Sequence, residues 1–179
     1  LGDFATGLYT LETGKSFVRM RRTGTVCANG SQTVELTKTI EMKPRASGVE
    51  IRYDIRNASE EPLQVLFGTE FAVNLLSGSA FDRYYRSDDK DLEYAKLGQM
   101  GLDEALGHLA LRDDWQKVEF ELRFDQPARL HRFAIDTVSQ SEGGQERVYQ
   151  GSIVVPCWKL DIAPGHVATR IILAQVNEL

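Results

Sequence analysis

Eight consecutive residues, Val49-Glu50-Ile51-Arg52-Tyr53-Asp54-Ile55-Arg56, alternate without exception between an apolar and a charged side chain. A period of two is the period of an extended strand, whose side chains point to opposite faces in turn. One face must meet a core and the other water, which excludes an all-parallel sheet buried on both sides. The same alternation recurs at Val118-Glu119-Phe120-Glu121-Leu122-Arg123-Phe124. It recurs again where Val34, Leu36, Ile40 and Met42 interleave with Glu35, Thr37, Thr39 and Glu41.

Turn chemistry punctuates these runs. Thr13-Gly14, Ala28-Asn29-Gly30-Ser31, Pro44, Asn57 to Pro62, Pro127, Gly143-Gly144 and Pro164-Gly165 each close a strand-like segment, because Gly and Asn accept positive φ and Pro withholds a ladder donor. The spacing predicts nine or ten strands at intervals near 10 to 15 residues. Helical periodicity is almost absent. An antiparallel all-β sandwich in one domain, residues 1–179, is the expected architecture. Residues 77–117 read as one long irregular insertion, in which Asp103 is expected to cap a short helical turn over Leu102, Leu106 and Leu109.

Composition narrows the function. The 21 basic residues stand against 26 acidic ones, a net charge of −5, so nothing calls for nucleic acid as a partner. No apolar run reaches the ~18 residues of a membrane-spanning helix and no signal peptide is visible, so no membrane is expected. Cys27 and Cys157 form no ligand cluster. They read as free thiols of a cytoplasmic protein, with a disulfide left open. The chain begins with Leu1, which suggests a piece of a longer protein. No phosphate-binding, dinucleotide-binding, nucleophile-elbow or zinc-protease motif occurs. Neither a cofactor nor a metal is expected, although Asp89, Asp91 and Glu93 alternate as calcium ligands do, without the EF-hand spacing or its glycine.

Two stretches carry the candidate chemistry. Val65 to Leu76 is the most apolar run, predicted as part of a strand over 63–76, and it holds Glu70 in its middle. A buried unpaired carboxylate is costly. Lys38 has the same problem on the apolar side of its own strand. The two are expected to pair, or to stand at an edge where both heads reach water; the functional reading aims Glu70 at sugar hydroxyls. Downstream, Asp82-Arg83-Tyr84-Tyr85 offers flat area with polar tips. The second stretch, Phe133 to Gly151, reads as a hairpin bearing Thr137, Ser139, Gln140, Tyr149 and Gln150, with Trp158 nearby. Amides and hydroxyls beside aromatics suit a polyhydroxylated ligand, or an interface that stays wet. The carbohydrate-binding candidates are therefore Glu70, Arg83, Tyr84, Tyr85, Gln140, Tyr149, Gln150 and Trp158. His131 lies on the same side as Phe133 and Ile135 and is expected to be partly buried.

Taken in order, Gly68-Thr69-Glu70-Phe71-Ala72-Val73-Asn74-Leu75-Leu76, Asp82-Arg83-Tyr84-Tyr85, Ile135 through Gly144, and Tyr149-Gln150-Gly151-Ser152 through Pro156 and Trp158 resemble the C-terminal β-sandwich domain of glycoside hydrolase family 57, the α-amylase and 4-α-glucanotransferase group. The opening Gly2-Asp3-Phe4 and Leu8-Tyr9 fit the start of that domain. The resemblance implies a galactose-mutarotase-like sandwich (a supersandwich). It also implies a catalytic (β/α) barrel in the same polypeptide, whose Glu nucleophile and Asp acid/base lie upstream of Leu1, so no catalytic residue is carried over. The implied role is that of a non-catalytic accessory domain of an α-glucan-acting enzyme, supporting the barrel, with an α-glucan or oligosaccharide as a further partner. Two alternatives stay open. One is an autonomous mutarotase-like sugar epimerase using Glu70 with His131 or His108; the other is a purely structural docking module.

Overall fold

The computed structural model describes residues 2–28, 30–42, 47–141 and 144–179. Asn29, Pro44 and Gly143, assigned above to turns, lie outside the described residues. Among the described residues there is no helix. The strands are β1 (Thr10–Thr13), β2 (Phe17–Ala28), β3 (Gly30–Met42), β4 (Gly48–Asn57), β5 (Leu63–Gly68), β6 (Phe71–Val73), β7 (Arg83–Arg86), β8 (Gly101–Asp113), β9 (Val118–Ser141), β10 (Gly144–Ile162) and β11 (Val167–Glu178). The chain divides into two compact units. The first holds residues 1–67, 124–126 and 158–175; the second holds 68–123, 127–157 and 176–179.

In the first unit β1, β2, β3, β4 and β11 pair successively, each antiparallel to the next. The alternation in β4 has the predicted facing: Ile51, Tyr53 and Ile55 are buried, while Arg52 and Arg56 are exposed. The outer rows run Arg19–Thr39–Arg52 and Arg21–Thr37–Asp54–Thr169 across neighbouring strands. Lys38 pairs with Tyr53, and its ammonium lies 5.4 Å from the centre of that ring. The aromatic face, not Glu70, answers the charge that the sequence left on the apolar side. Asn57 is fully buried and closes its turn with three bonds. Its Nδ2 donates to Glu61 O and Ile162 O at 2.8 and 2.9 Å, and its Oδ1 accepts from Ser59 N–H at 2.9 Å.

In the second unit β6 pairs with β10, β10 with β9, β9 with β8 and β8 with β7, all antiparallel. Of the segment expected to be an irregular insertion, β7 and β8 are sheet and the rest is irregular, as predicted. Gly101 to Asp113 is one strand, and Asp103 caps no helix. The helical reading fails because two irregularities in the β8–β9 register, around Leu106, break the period of two. Ala105 there takes a left-handed backbone, φ 55°. The predicted strand over 63–76 is also interrupted, since β5 ends at Gly68 and β6 is only three residues. Glu70 falls in the gap and is exposed. It faces water, so it has no need of a buried cation.

Candidate functional site

Strand pairing decides what the centre of the second unit offers. Leu102, His131 and Val155 lie side by side on β8, β9 and β10. Side chains alternate along a strand, so Phe133 and Ile135 stand on the same face as His131, and Leu130 and Arg132 on the other. The polar side chain goes inward. Arg132 is fully buried, whereas Phe133 and Ile135 are 39% and 44% exposed and Met100 is 78% exposed. The apolar residues around His131, read from sequence as its buried neighbours, form an outer face. Tyr94, Met100, Leu102, Phe133 and Val155 surround a pocket of about 550 Å³ there.

Arg132 is held by four groups. Its Nε and Nη2 both donate to Asp103 Oδ2, while Nη1 and Nη2 donate to the carbonyls of Tyr94 and Glu93 at 3.2 and 3.1 Å. The guanidinium also lies 4.7 Å from the centre of the Tyr85 ring. At Gly101, the cross-strand partner of Arg132, a Cβ would press on the guanidinium and force it to shift.

A second group of titratable residues gathers farther along β8 and β9, where His108 pairs with Arg123. Buried His108 accepts the Asp88 backbone N–H at Nδ1, 2.8 Å, and places Nε2 3.0 Å from Glu121 Oε1. Among the described residues, Asp88, His108 and Glu121 are close enough to be weighed as metal ligands. Their chemistry argues otherwise. Nδ1 is used as an acceptor, so the neutral ring carries its proton on Nε2. Arg123 reaches both carboxylates and occupies the cation's place, with Nη2 2.9 Å from Asp88 Oδ2. Asp89, one of the alternating acids weighed for calcium, spends one carboxylate oxygen on the backbone N–H groups of Gly107 and His108, at 2.7 and 3.0 Å.

The residues singled out for carbohydrate are dispersed. Arg83 is engaged by Asp113 Oδ2 and Asp82 Oδ1 at 2.9 and 3.3 Å, and Tyr84 donates to Asp114 Oδ2 at 3.1 Å. Tyr85 is 1% exposed, and burial pushes its phenol up to about 12. All three are tied down within β7, Tyr85 buried and Arg83 and Tyr84 half-buried. Trp158 is 5% exposed, packed against Phe67 and Phe124 and donating its Nε1–H to Gln126 O at 2.9 Å. A ligand at the surface does not reach Trp158 or Tyr85. On the hairpin, Gln140 pairs with Gln145 and both are exposed. Gln150 donates to Thr137 Oγ1 and Val148 O, at 3.2 and 3.3 Å. Tyr149 is half-buried beside its cross-strand partner Asp136. Glu70 stands apart from Tyr149, in the gap before β6. Sequence reasoning missed Arg132, Asp103 and the Met100–Leu102 edge. The one available signal was an arginine set just before the apolar run Phe133-Ala134-Ile135.

Comparisons with known proteins agree with this geometry. A family model described as Alpha-amylase/4-alpha-glucanotransferase, C-terminal, matches residues 1–170. Alpha-amylase 1 of Dictyoglomus thermophilum is 33% identical over 136 residues, 73% of this chain and 18% of that protein. Alpha-amylase of Pyrococcus abyssi is 31% identical over 166 residues, 90% of this chain and 21% of that protein. The solved 4-alpha-glucanotransferase of Thermococcus litoralis has a TM-score of 0.74 at 23% identity, over 100% of this chain and 24% of that one. The galactose mutarotase related enzyme of Lactobacillus acidophilus has a TM-score of 0.71 at 12% identity, over 95% and 71%. At these structural identities the likeness speaks for the fold alone, which is antiparallel, all-β and galactose-mutarotase-like. The chain spans about a fifth of the length of the curated relatives it matches.

Proposed function

The chain belongs to the alpha-amylase/4-alpha-glucanotransferase C-terminal family, and from that premise we propose that it serves a larger α-glucan-acting enzyme as a non-catalytic accessory domain, packed against the catalytic part of the same polypeptide. The observation that carries this reading is the outer face of β8, β9 and β10. Tyr94, Met100, Leu102, Phe133 and Ile135 are all exposed there, and contiguous exposed apolar surface marks an interaction site. The occupant is the remainder of the polypeptide, because the relatives carry about four-fifths of their length outside the matched region. The commitments of the acids support a non-catalytic role. Glycoside cleavage needs two carboxyl groups free to act across one bond. Asp82 is paired with Arg83, Asp88 with Arg86 and Arg123, and Asp103 with Arg132.

The test is made in the longer polypeptide. Phe133→Lys with Met100→Glu should lower its Tm and expose the junction to limited proteolysis. The isolated chain should lose less Tm than the longer polypeptide, since Met100 is mostly and Phe133 partly exposed in it. Equal Tm and equal cleavage for variant and parent would rule out this face as the dock. Release of reducing ends from maltooligosaccharides by the isolated chain would overturn the non-catalytic reading.

A further inference from the structure

A polar groove of about 530 Å³ runs beside Tyr149 in the second unit, on residues that neither the outer apolar face nor the His108 network uses. Two glycines lock its floor. Gly98 N–H donates to Gly78 O at 2.7 Å, and a Cβ at Gly78 would run into the Tyr149 ring at 2.5 Å. The Tyr149 hydroxyl is 2.7 Å from Ser152 Oγ, which donates onward to Leu97 O at 3.3 Å. The phenol therefore donates inward and the ring is fixed before any ligand arrives, which lowers the ordering cost of binding.

The polar groups around that ring are mixed in sign and function. Asp136 accepts from Arg147 Nη2 at 2.8 Å, and the Arg147 side chain is 73% exposed. Lys96, Gln99, Ser77 and Ser79 form the opposite wall. Gln99 Oε1 accepts the Lys96 N–H at 3.1 Å, which leaves its NH2 group as a donor. Ser77 holds a left-handed backbone, φ 71°, a conformation that costs a non-glycine residue strain. Lys96 and Arg147 balance Asp136 and Glu146, so the groove offers no net charge to an ion. It offers donors and acceptors beside one pre-set aromatic, and its volume lies within the ~300–1,000 Å³ of ligand sites.

We propose that this groove binds a neutral carbohydrate, and that its ligand is a short segment of α-glucan. The Asp136–Arg147 pair accepts from one hydroxyl and donates to its neighbour, while Tyr149 presents carbon surface to the sugar ring. The choice of α-glucan rests on the function proposed above; the choice of a neutral sugar rests on the groove.

An amide-resolved NMR titration of this chain with maltotriose, with cellotriose as the control for linkage, tests it. Maltotriose should give saturable shifts at Ser79, Gln99, Arg147 and Tyr149. Binding should weaken about ten-fold in Arg147→Gln, at an exposed side chain, and in the near-isosteric Asp136→Asn. Phe133→Gln, on the outer apolar face, should bind as the parent does. Absence of saturable shifts with either sugar, or shifts that survive both groove variants, would overturn the site. Equal binding of cellotriose would overturn the α-glucan assignment. The docking reading is tested separately, by proteolysis and Tm of the longer polypeptide, so either can fail without the other.

Discussion

Arg132 and Asp103 meet inside the second unit. Nε and Nη2 of the arginine reach the same carboxylate oxygen at 2.9 and 2.7 Å, and neither residue is open to solvent. Lys90 adds a contact to the other oxygen at 3.3 Å. Removing one partner strands a buried charge, which typically costs ~3–5 kcal/mol. Asp103→Ala should therefore destabilise by roughly that amount. Asp103→Leu with Arg132→Met should be milder than the two single changes summed. Denaturant midpoints for the four proteins measure this, and additive effects would mean that the two residues are not coupled.

Gly101 gives an independent check of the same packing. Alanine there drives a methyl group into the Arg132 guanidinium. Overpacking in a filled interior costs about 1–3 kcal/mol. Gly101→Ala should lower the midpoint accordingly, whereas Gly107→Ala, whose Cβ would meet nothing nearer than an Asp89 oxygen at 3.6 Å, should cost less.

His108 sets a pH window. Burial holds its imidazole below the ordinary value of 6.5, against the pull of Asp88 and Glu121, with Arg123 and Arg86 adding to the depression. The unfolded chain thus takes up a proton that the folded chain resists. The associated stability is complete above pH ~6.5 and is lost as the pH falls through the folded pKa. Asp88, held down by Arg86 and Arg123, acts in the same direction, but only from about 3.8 downward. Tm should decline as the pH falls below 6.5, and the decline should be shallower in His108→Gln. An identical slope in both proteins would remove His108 as its source.

Trp158 should matter to stability and not to sugar. Its ring stacks on Phe67 at 6.1 Å between centres and meets Phe124 edge-on at 5.9 Å. Trp158→Ala should cost about 3–5 kcal/mol. Trp158→Phe keeps the ring contacts but leaves the Gln126 carbonyl without its donor, and should cost less. Neither the fluorescence maximum nor the intensity of Trp158 should shift when maltotriose is added.

The period of two in β4 was enough to give the strand, its facing and the antiparallel class, because a one-residue slip would put Ile51, Tyr53 and Ile55 in water. Family membership was legible too, since it rests on local segments such as Gly68 to Leu76 that can be read in order. Sequence could not say which face of β9 turns inward. Phe133 and Ile135 look like the core side and Arg132 like the wet side, yet Arg132 is buried because Asp103, the Glu93 and Tyr94 carbonyls and the Tyr85 ring converge on it from distant positions in the chain. Glu70 misled in the opposite way. Its apolar neighbours suggested burial, but the strand breaks on either side of it and leaves it exposed. The hairpin residues were visible as a polar-aromatic group. Only strand register put Asp136 and Arg147 beside Tyr149 and sent Gln150 to Thr137. Alternation is a local property and survives in one dimension. The pairing of a charge with its counter-charge depends on which strands become neighbours, and that is decided by the tertiary fold.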